Sequence, residues 1–225
     1  MKVIIFGATG MIGRGVLREC LLDEEVKKVL TIGRSVTGMQ HEKLRELTHN
    51  DFRDFSAIES NLLGYDACIY CLGVSSTGMA EQDYHHVTYA ITQAVAQTLV
   101  KLNSNMAFIY VSGAGTDSTE QGRIMWARVK GKTENMLLRL PFKSAYMFRP
   151  AFIQPMHGIV SKTKLYRVLY TVFGKLYPLL KVLFPKSITT TEILGRAMLR
   201  VAKRGAPRQV LETQDINNIG LSIKE

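Results

Sequence analysis

Three glycines near the start of the chain, Gly7, Gly10 and Gly13, stand at G-x-x-G-x-x-G spacing within Lys-Val-Ile-Ile-Phe-Gly-Ala-Thr-Gly-Met-Ile-Gly-Arg, residues 2–14. A short β-branched apolar run ends at this turn, and a helix-compatible segment follows at once. Such a turn leaves backbone N–H groups uncovered at a helix N-terminus, where they can receive a pyrophosphate. Gly7 permits the tight turn, Gly10 lets phosphates approach the backbone, and Gly13 lets the helix pack close to the strand. The strand before and the helix after are the context that gives the triplet its meaning.

A second set of residues bears on which dinucleotide would sit there. At the end of the second strand an acid accepts a hydrogen bond from a ribose 2′-hydroxyl, whereas an arginine accommodates a 2′-phosphate. The chain reads Ile32-Gly33-Arg34-Ser35, with no acid, and Arg14 follows the third glycine. Guanidinium forks make charge-assisted, paired hydrogen bonds to phosphate oxygens. The expected cofactor is therefore NADP(H), with NAD(H) as the alternative. Cys68-Ile-Tyr-Cys71 has C-x-x-C spacing, but it lies in an apolar run that reads as a strand. Residues three apart on a strand face opposite sides, so buried thiols are expected and no metal or redox pair. The five histidines lack zinc-ligand spacing.

These residues need a scaffold, and apolar periodicity supplies one. Strands are expected at 2–6, 26–32, 44–49, 66–71, 106–111 and 145–148, with a short last one at 209–212. Helices are expected at 11–22, 56–63, 80–102 and 123–140, and at 193–203 behind a Thr190 or Thr191 cap. Strands alternating with helices call for an α/β fold, a doubly wound parallel sheet of Rossmann type with right-handed crossovers. Past Pro150 the rhythm changes, and residues 154–206 read as a helical lid or substrate-side region of one domain spanning 1–225. Within it, 165–184 is apolar and aromatic but interrupted by Arg167, Lys175, Pro178 and Lys181. It is a poor membrane span. A lid helix, a basic helix resting on a membrane surface and a dimer interface are the readings open to it, so the chain is expected to be a monomer or a homodimer.

The 225 residues carry a formal charge of +10, unevenly spread. Residues 1–122 hold 10 Lys and Arg against 14 Asp and Glu, and residues 123–225 hold 19 against 5. The basic second half could attract an anionic substrate, a 2′-phosphate or an anionic membrane surface. No nucleic-acid module with interleaved stacking residues is present, so nucleic acid is not expected as a partner. Val3–Phe6 is too short for a signal sequence, which makes the cytoplasm the expected location.

In order and spacing, residues 1–153 resemble the short-chain dehydrogenase/reductase superfamily in its extended or atypical branch. The likeness rests on Gly-Ala-Thr-Gly-Met-Ile-Gly at 7–13, Cys71-Leu72-Gly73, Val111-Ser112-Gly113, Lys130 and Arg149-Pro150. Val129-Lys130-Gly131-Lys132-Thr133-Glu134 is most similar to the NmrA-like and Tat-interacting-protein-like oxidoreductases. The resemblance implies that Thr9, Gly10, Met11 and Ile12 hold the pyrophosphate. It implies that Asp51 and Phe52 meet adenine, that Leu72 and Gly73 line the adenosine ribose and phosphate side, and that Pro150, Ala151, Phe152 and Ile153 border the nicotinamide. Lys130 would bind the nicotinamide ribose, with Ser112 as a candidate catalytic hydroxyl and Thr116 and Ser118 nearby.

The superfamily pairs a Tyr with a Lys four residues later, on one helix face. Here that position is Trp126, in Trp126-Ala-Arg-Val-Lys130. An indole N–H donates a hydrogen bond but is no practical acid near neutral pH. The implied function is an NADP(H)-binding oxidoreductase-like protein acting on an unassigned small molecule. A non-catalytic dinucleotide-sensing regulator and a nucleoside-diphosphate-sugar-epimerase-like enzyme are the alternatives. Tyr84, beside His85 and His86, reads as an exposed helix start.

Overall fold

A computed structural model describes residues 1–160 and 186–222. Seven strands form one sheet in the order β3-β2-β1-β4-β5-β6-β9, every neighbouring pair parallel. They are β1 (Lys2–Phe6), β2 (Lys28–Gly33), β3 (Leu44–Thr48), β4 (Ala67–Tyr70), β5 (Ala107–Val111), β6 (Ser144–Arg149) and β9 (Val210–Glu212). The order runs outward from β1 in one direction and from β4 in the other. A crevice therefore opens beyond the carboxyl ends of these two strands, where such sheets bind ligands.

Strand alternation builds two cores. Val3 and Ile5 point to one face, with Val16 and Leu17 of α1 (Met11–Leu22), Leu194 and Met198 of α5 (Thr191–Arg204) and Ile216 of α6 (Thr213–Leu221). Ile4 and Phe6 point to the other, with Leu30, Phe52, Phe55, Val95 and Leu99. Each such buried side chain contributes roughly 1.5–3 kcal/mol of transfer free energy. Cys68 is buried in the second core and the half-buried Cys71 packs against the first, so the two side chains lie on opposite faces of the sheet.

The segment expected as one helix over 80–102 is divided. α2 (Glu81–His85) passes through a π-helical turn at His86–Ala90 into α3 (Ile91–Leu102). Tyr84, Thr88 and Thr92, four residues apart, lie inside on one face, with the Thr92 hydroxyl on the Thr88 carbonyl at 2.5 Å. Tyr84 is thus 2% exposed, which corrects its reading as an exposed helix start. α4 (Met125–Arg139) covers the same face of the sheet.

Past Pro150, β7 (Phe152–Gln154) pairs in parallel with β8 (Ile188–Thr190), a small second sheet that no periodicity announces. Thr190 then caps α5 by accepting the Ile193 N–H at 3.0 Å. Of the 154–206 stretch read as a lid, residues 161–185 lie outside the described set, and with them the 165–184 segment and the readings attached to it. α5 itself packs in the core layer against α1 and α6. Among the described residues, no helix is long and apolar enough to cross a membrane, and no cluster of side chains could hold a metal.

Candidate functional site: a dinucleotide crevice

The glycine turn is built from two kinds of glycine. Gly7 sits at φ +82°, and a Cβ on Gly13 would stand 2.2 Å from the Gly7 carbonyl oxygen, so the fold itself demands both. Gly10 has an ordinary extended conformation, and a Cβ there would meet only the Gly7 oxygen at 3.3 Å. Its open side faces away from the protein. No side chain caps α1, and among the described residues the N–H groups of Met11, Ile12 and Gly13 have no protein acceptor. Uncapped amides at the positive end of a helix dipole are suited to an anion, and the missing Cβ lets it approach. Gly73, after β4, is likewise exposed with nothing within 4 Å of a would-be Cβ. The residues present therefore fit a bound diphosphate.

Beyond the ends of β1 and β2 lies a crevice lined by Gly7, Ala8, Thr9, Thr31, Ile32, Gly33, Arg34, Ser35, Thr37, Phe52 and Leu72. Phe52 is buried edge-on against Phe6 and Phe55, so the wall it makes is firm. Arg34 and Ser35 are exposed at the rim, and no carboxylate lines the crevice. Arg14 is exposed on α1 and does not line it, nor does Asp51. The Asp51 carboxylate is occupied locally: it accepts the Arg53 N–H at 2.9 Å and faces the Arg53 guanidinium at 3.6 Å. Thr31, Ser35 and Thr37 are lining residues that the sequence reading did not single out. Their signal is placement beside Arg34 at the end of β2, legible only once the strand end is known.

At the other end, α4 brings Lys130 to the terminus of β5. Its Nζ donates to the Ser112 carbonyl. Burial lowers its pKa to about 8, and the Glu134 carboxylate, one turn along the helix, opposes that shift. The Ser112 hydroxyl is buried and donates to the Phe148 carbonyl at 3.2 Å, so Ser112 offers this end its carbonyl rather than its hydroxyl. Thr116 donates to the Gly113 carbonyl at 2.7 Å, and the Ser118 hydroxyl accepts from Arg149 at 2.6 Å. Trp126 stands four residues before Lys130 and lies over Gly115, whose would-be Cβ is 3.6 Å from the indole. The loop carrying Ser112 and Gly115 presses directly on α4. A Cβ on Gly131 would be 1.7 Å from the Asp117 carbonyl oxygen.

The 150–153 stretch is tied down by its backbone. The Pro150 carbonyl accepts the Ala114 N–H at 3.0 Å, and the Ala151 N–H donates to Thr213 at 2.9 Å. Ala151 is exposed and Phe152 half-buried, but Ile153 is buried in the first core. Just before Pro150, Arg149 forks onto Glu134 through Nε at 3.0 Å and through Nη2. Glu134 is 1% exposed, so this pair joins β6 to α4 from inside.

A doubly wound parallel sheet with an uncapped glycine turn at its switch point defines a dinucleotide-binding domain of the Rossmann class. The model of the NAD dependent epimerase/dehydratase family matches residues 3–123, and the chain belongs to that family. It is similar to Protein FMP52-2, mitochondrial, of Scheffersomyces stipitis, at 26% identity over 66% of this chain and 65% of that one. It is also similar to Protein HTATIP2 of Rattus norvegicus, at 26% identity over 68% of this chain and 62% of that one. The matched part thus spans about two-thirds of each relative's length. Among solved structures, the Bordetella bronchiseptica enzyme WbmH, determined in complex with NAD+, superposes with a TM-score of 0.66 at 18% identity, covering 93% of this chain and 74% of that one. The expected Rossmann-type dinucleotide-binding family stands, and a nicotinamide dinucleotide is the cofactor class. The expected cytoplasmic location does not stand: the FMP52 relatives from three fungi are named as mitochondrial proteins.

Proposed function

We propose that this chain is an NADP(H)-binding, oxidoreductase-type protein of the atypical branch whose phenolic acid has been replaced by Trp126. One observation carries the coenzyme preference: the crevice at the end of β2 presents Arg34 and Ser35 and is lined by no carboxylate. A guanidinium there favours a 2′-phosphate, and an acid would favour a free hydroxyl. When bound, the dinucleotide would supply hydride chemistry. The chain's own parts are simple. The amides of α1 would hold the diphosphate, Phe52 and Leu72 would close the adenosine end, and Lys130, fixed on the Ser112 carbonyl, would meet the nicotinamide ribose.

Loss of a general acid removes roughly 10²–10⁴-fold in rate. Slow turnover of simple carbonyl compounds is the expected result. Trp126 equally favours a second reading, in which the protein binds the dinucleotide and reports its redox state without turnover.

Titration calorimetry with NADPH and NADH tests the coenzyme reading. NADPH should bind more tightly, and Arg34→Ala should erase the difference. Equal affinities in the wild type would defeat it. Trp126→Tyr should raise carbonyl reduction; a variant that binds NADPH normally yet gains nothing favours the sensor.

A further inference from the structure

We infer that Glu46, on β3, is the positioning residue that sets the coenzyme preference of this crevice; the inference rests on the NADP(H) reading above. Glu46 and Thr31 are register partners across the parallel β2–β3 pair. One carboxylate oxygen, Oε2, accepts the Thr31 hydroxyl at 3.1 Å and the Thr37 N–H at 2.7 Å. Both threonines line the crevice, and Arg34 and Ser35 lie between them in the chain.

Among the described residues, residues 34–37 have no other hydrogen bond to the sheet. The preceding tie is the His49 N–H on the Gly33 carbonyl at 2.9 Å, and the Thr37 hydroxyl serves only the neighbouring Met39 N–H. The turn that carries Arg34 is therefore held at its far end by one carboxylate. A charge-assisted hydrogen bond is about twice as strong as a neutral one, which makes this an effective anchor. Glu46 itself does not line the crevice. Its carboxylate works from behind the wall, facing the two threonines instead of a ribose.

A guanidinium recognises phosphate only when its fork is presented in the right place, so the segment that carries it must be held. Loosening the turn should therefore penalise NADPH, which would need Arg34, more than NADH, which would not. Glu46→Ala is expected to weaken NADPH binding about tenfold and NADH binding about twofold or less. Glu46→Gln keeps an oxygen that can accept the Thr37 N–H, and it should retain most of the preference.

The experiment measures dissociation constants for both coenzymes by calorimetry on wild type, Glu46→Ala and Glu46→Gln. Circular dichroism and the thermal midpoint confirm that each variant folds. A fall in the NADPH-over-NADH ratio in Glu46→Ala, restored in Glu46→Gln, supports the inference. Equal losses for both coenzymes would reduce Glu46 to a general structural role and overturn it. A rise in the ratio would also overturn it, since the carboxylate would then be opposing the 2′-phosphate. The wild-type ratio is measured first: if it shows no preference for NADPH the coenzyme reading fails by itself, and Glu46 still stands or falls on whether its removal moves the ratio.

Discussion

Arg149→Met isolates the buried ion pair that joins the end of β6 to α4. Arg149 forks onto Glu134, reaches Ser118 at 2.6 Å, and faces Glu212 at 3.4 Å. The three contacts differ in weight. Glu212 is half exposed, so that pair is screened and contributes under about 1 kcal/mol. Glu134 is 1% exposed and would lose the guanidinium that hydrogen-bonds it, a loss of about 3–5 kcal/mol. Against a domain stability of roughly 5–15 kcal/mol, that is a large fraction. Urea unfolding followed by circular dichroism should show the midpoint falling without a change in slope. Glu134→Gln combined with Arg149→Met should recover much of the loss, because the buried charge goes with its partner. A loss below about 1 kcal/mol for Arg149→Met alone would refute the assignment of a dry, charge-dependent clamp.

Gly13→Ala drives a Cβ into the Gly7 carbonyl oxygen, 2.2 Å away, and should cost about 1–3 kcal/mol or more by thermal unfolding; an unchanged midpoint would contradict the close strand–helix approach. Thr190→Ala removes the buried cap on the Ile193 N–H and should cost about 0.5–2 kcal/mol in the same assay. Lys130 gives a pH signature. Its folded pKa is about 8 and its unfolded value about 10.4, so between them the unfolded chain holds a proton that the folded chain has released. Stability conferred at this site therefore rises with pH across that window. Relative to Lys130→Met, the wild type should gain about 1–2 kcal/mol between pH 7.5 and 9.5 in denaturant titrations, and a flat difference would show that the amine is not desolvated.

The parts of the site that could be read in advance are those whose cause is local. The turn at 7–13 declares itself because glycine spacing and strand alternation act over neighbouring residues. Trp126 is visible as a substitution because Lys130 fixes its helical phase. Other parts depend on pairing across the sheet. Nothing along the chain marks Glu46 as the partner of Thr31, since 15 residues separate them and only the β2–β3 register joins them. β7 and β8 are three residues each, too short to carry a period, and exist because they pair. Tyr84 shares a buried face with Thr88 and Thr92 at four-residue spacing, and which face of this stretch turns inward is set by what packs on it. Ser112 was legible by position but not by orientation, which the neighbouring β6 backbone decides.

The contact between Gly131 and the Asp117 carbonyl has a mechanical consequence. With no side chain between them, loop and helix meet backbone to backbone and behave as one plate. Protein interiors resist compression, so the loop and α4 cannot close further on each other. The same loop is tied to the chain leaving β6 by the Ala114 N–H on the Pro150 carbonyl, so helix, loop and strand end shift together or not at all.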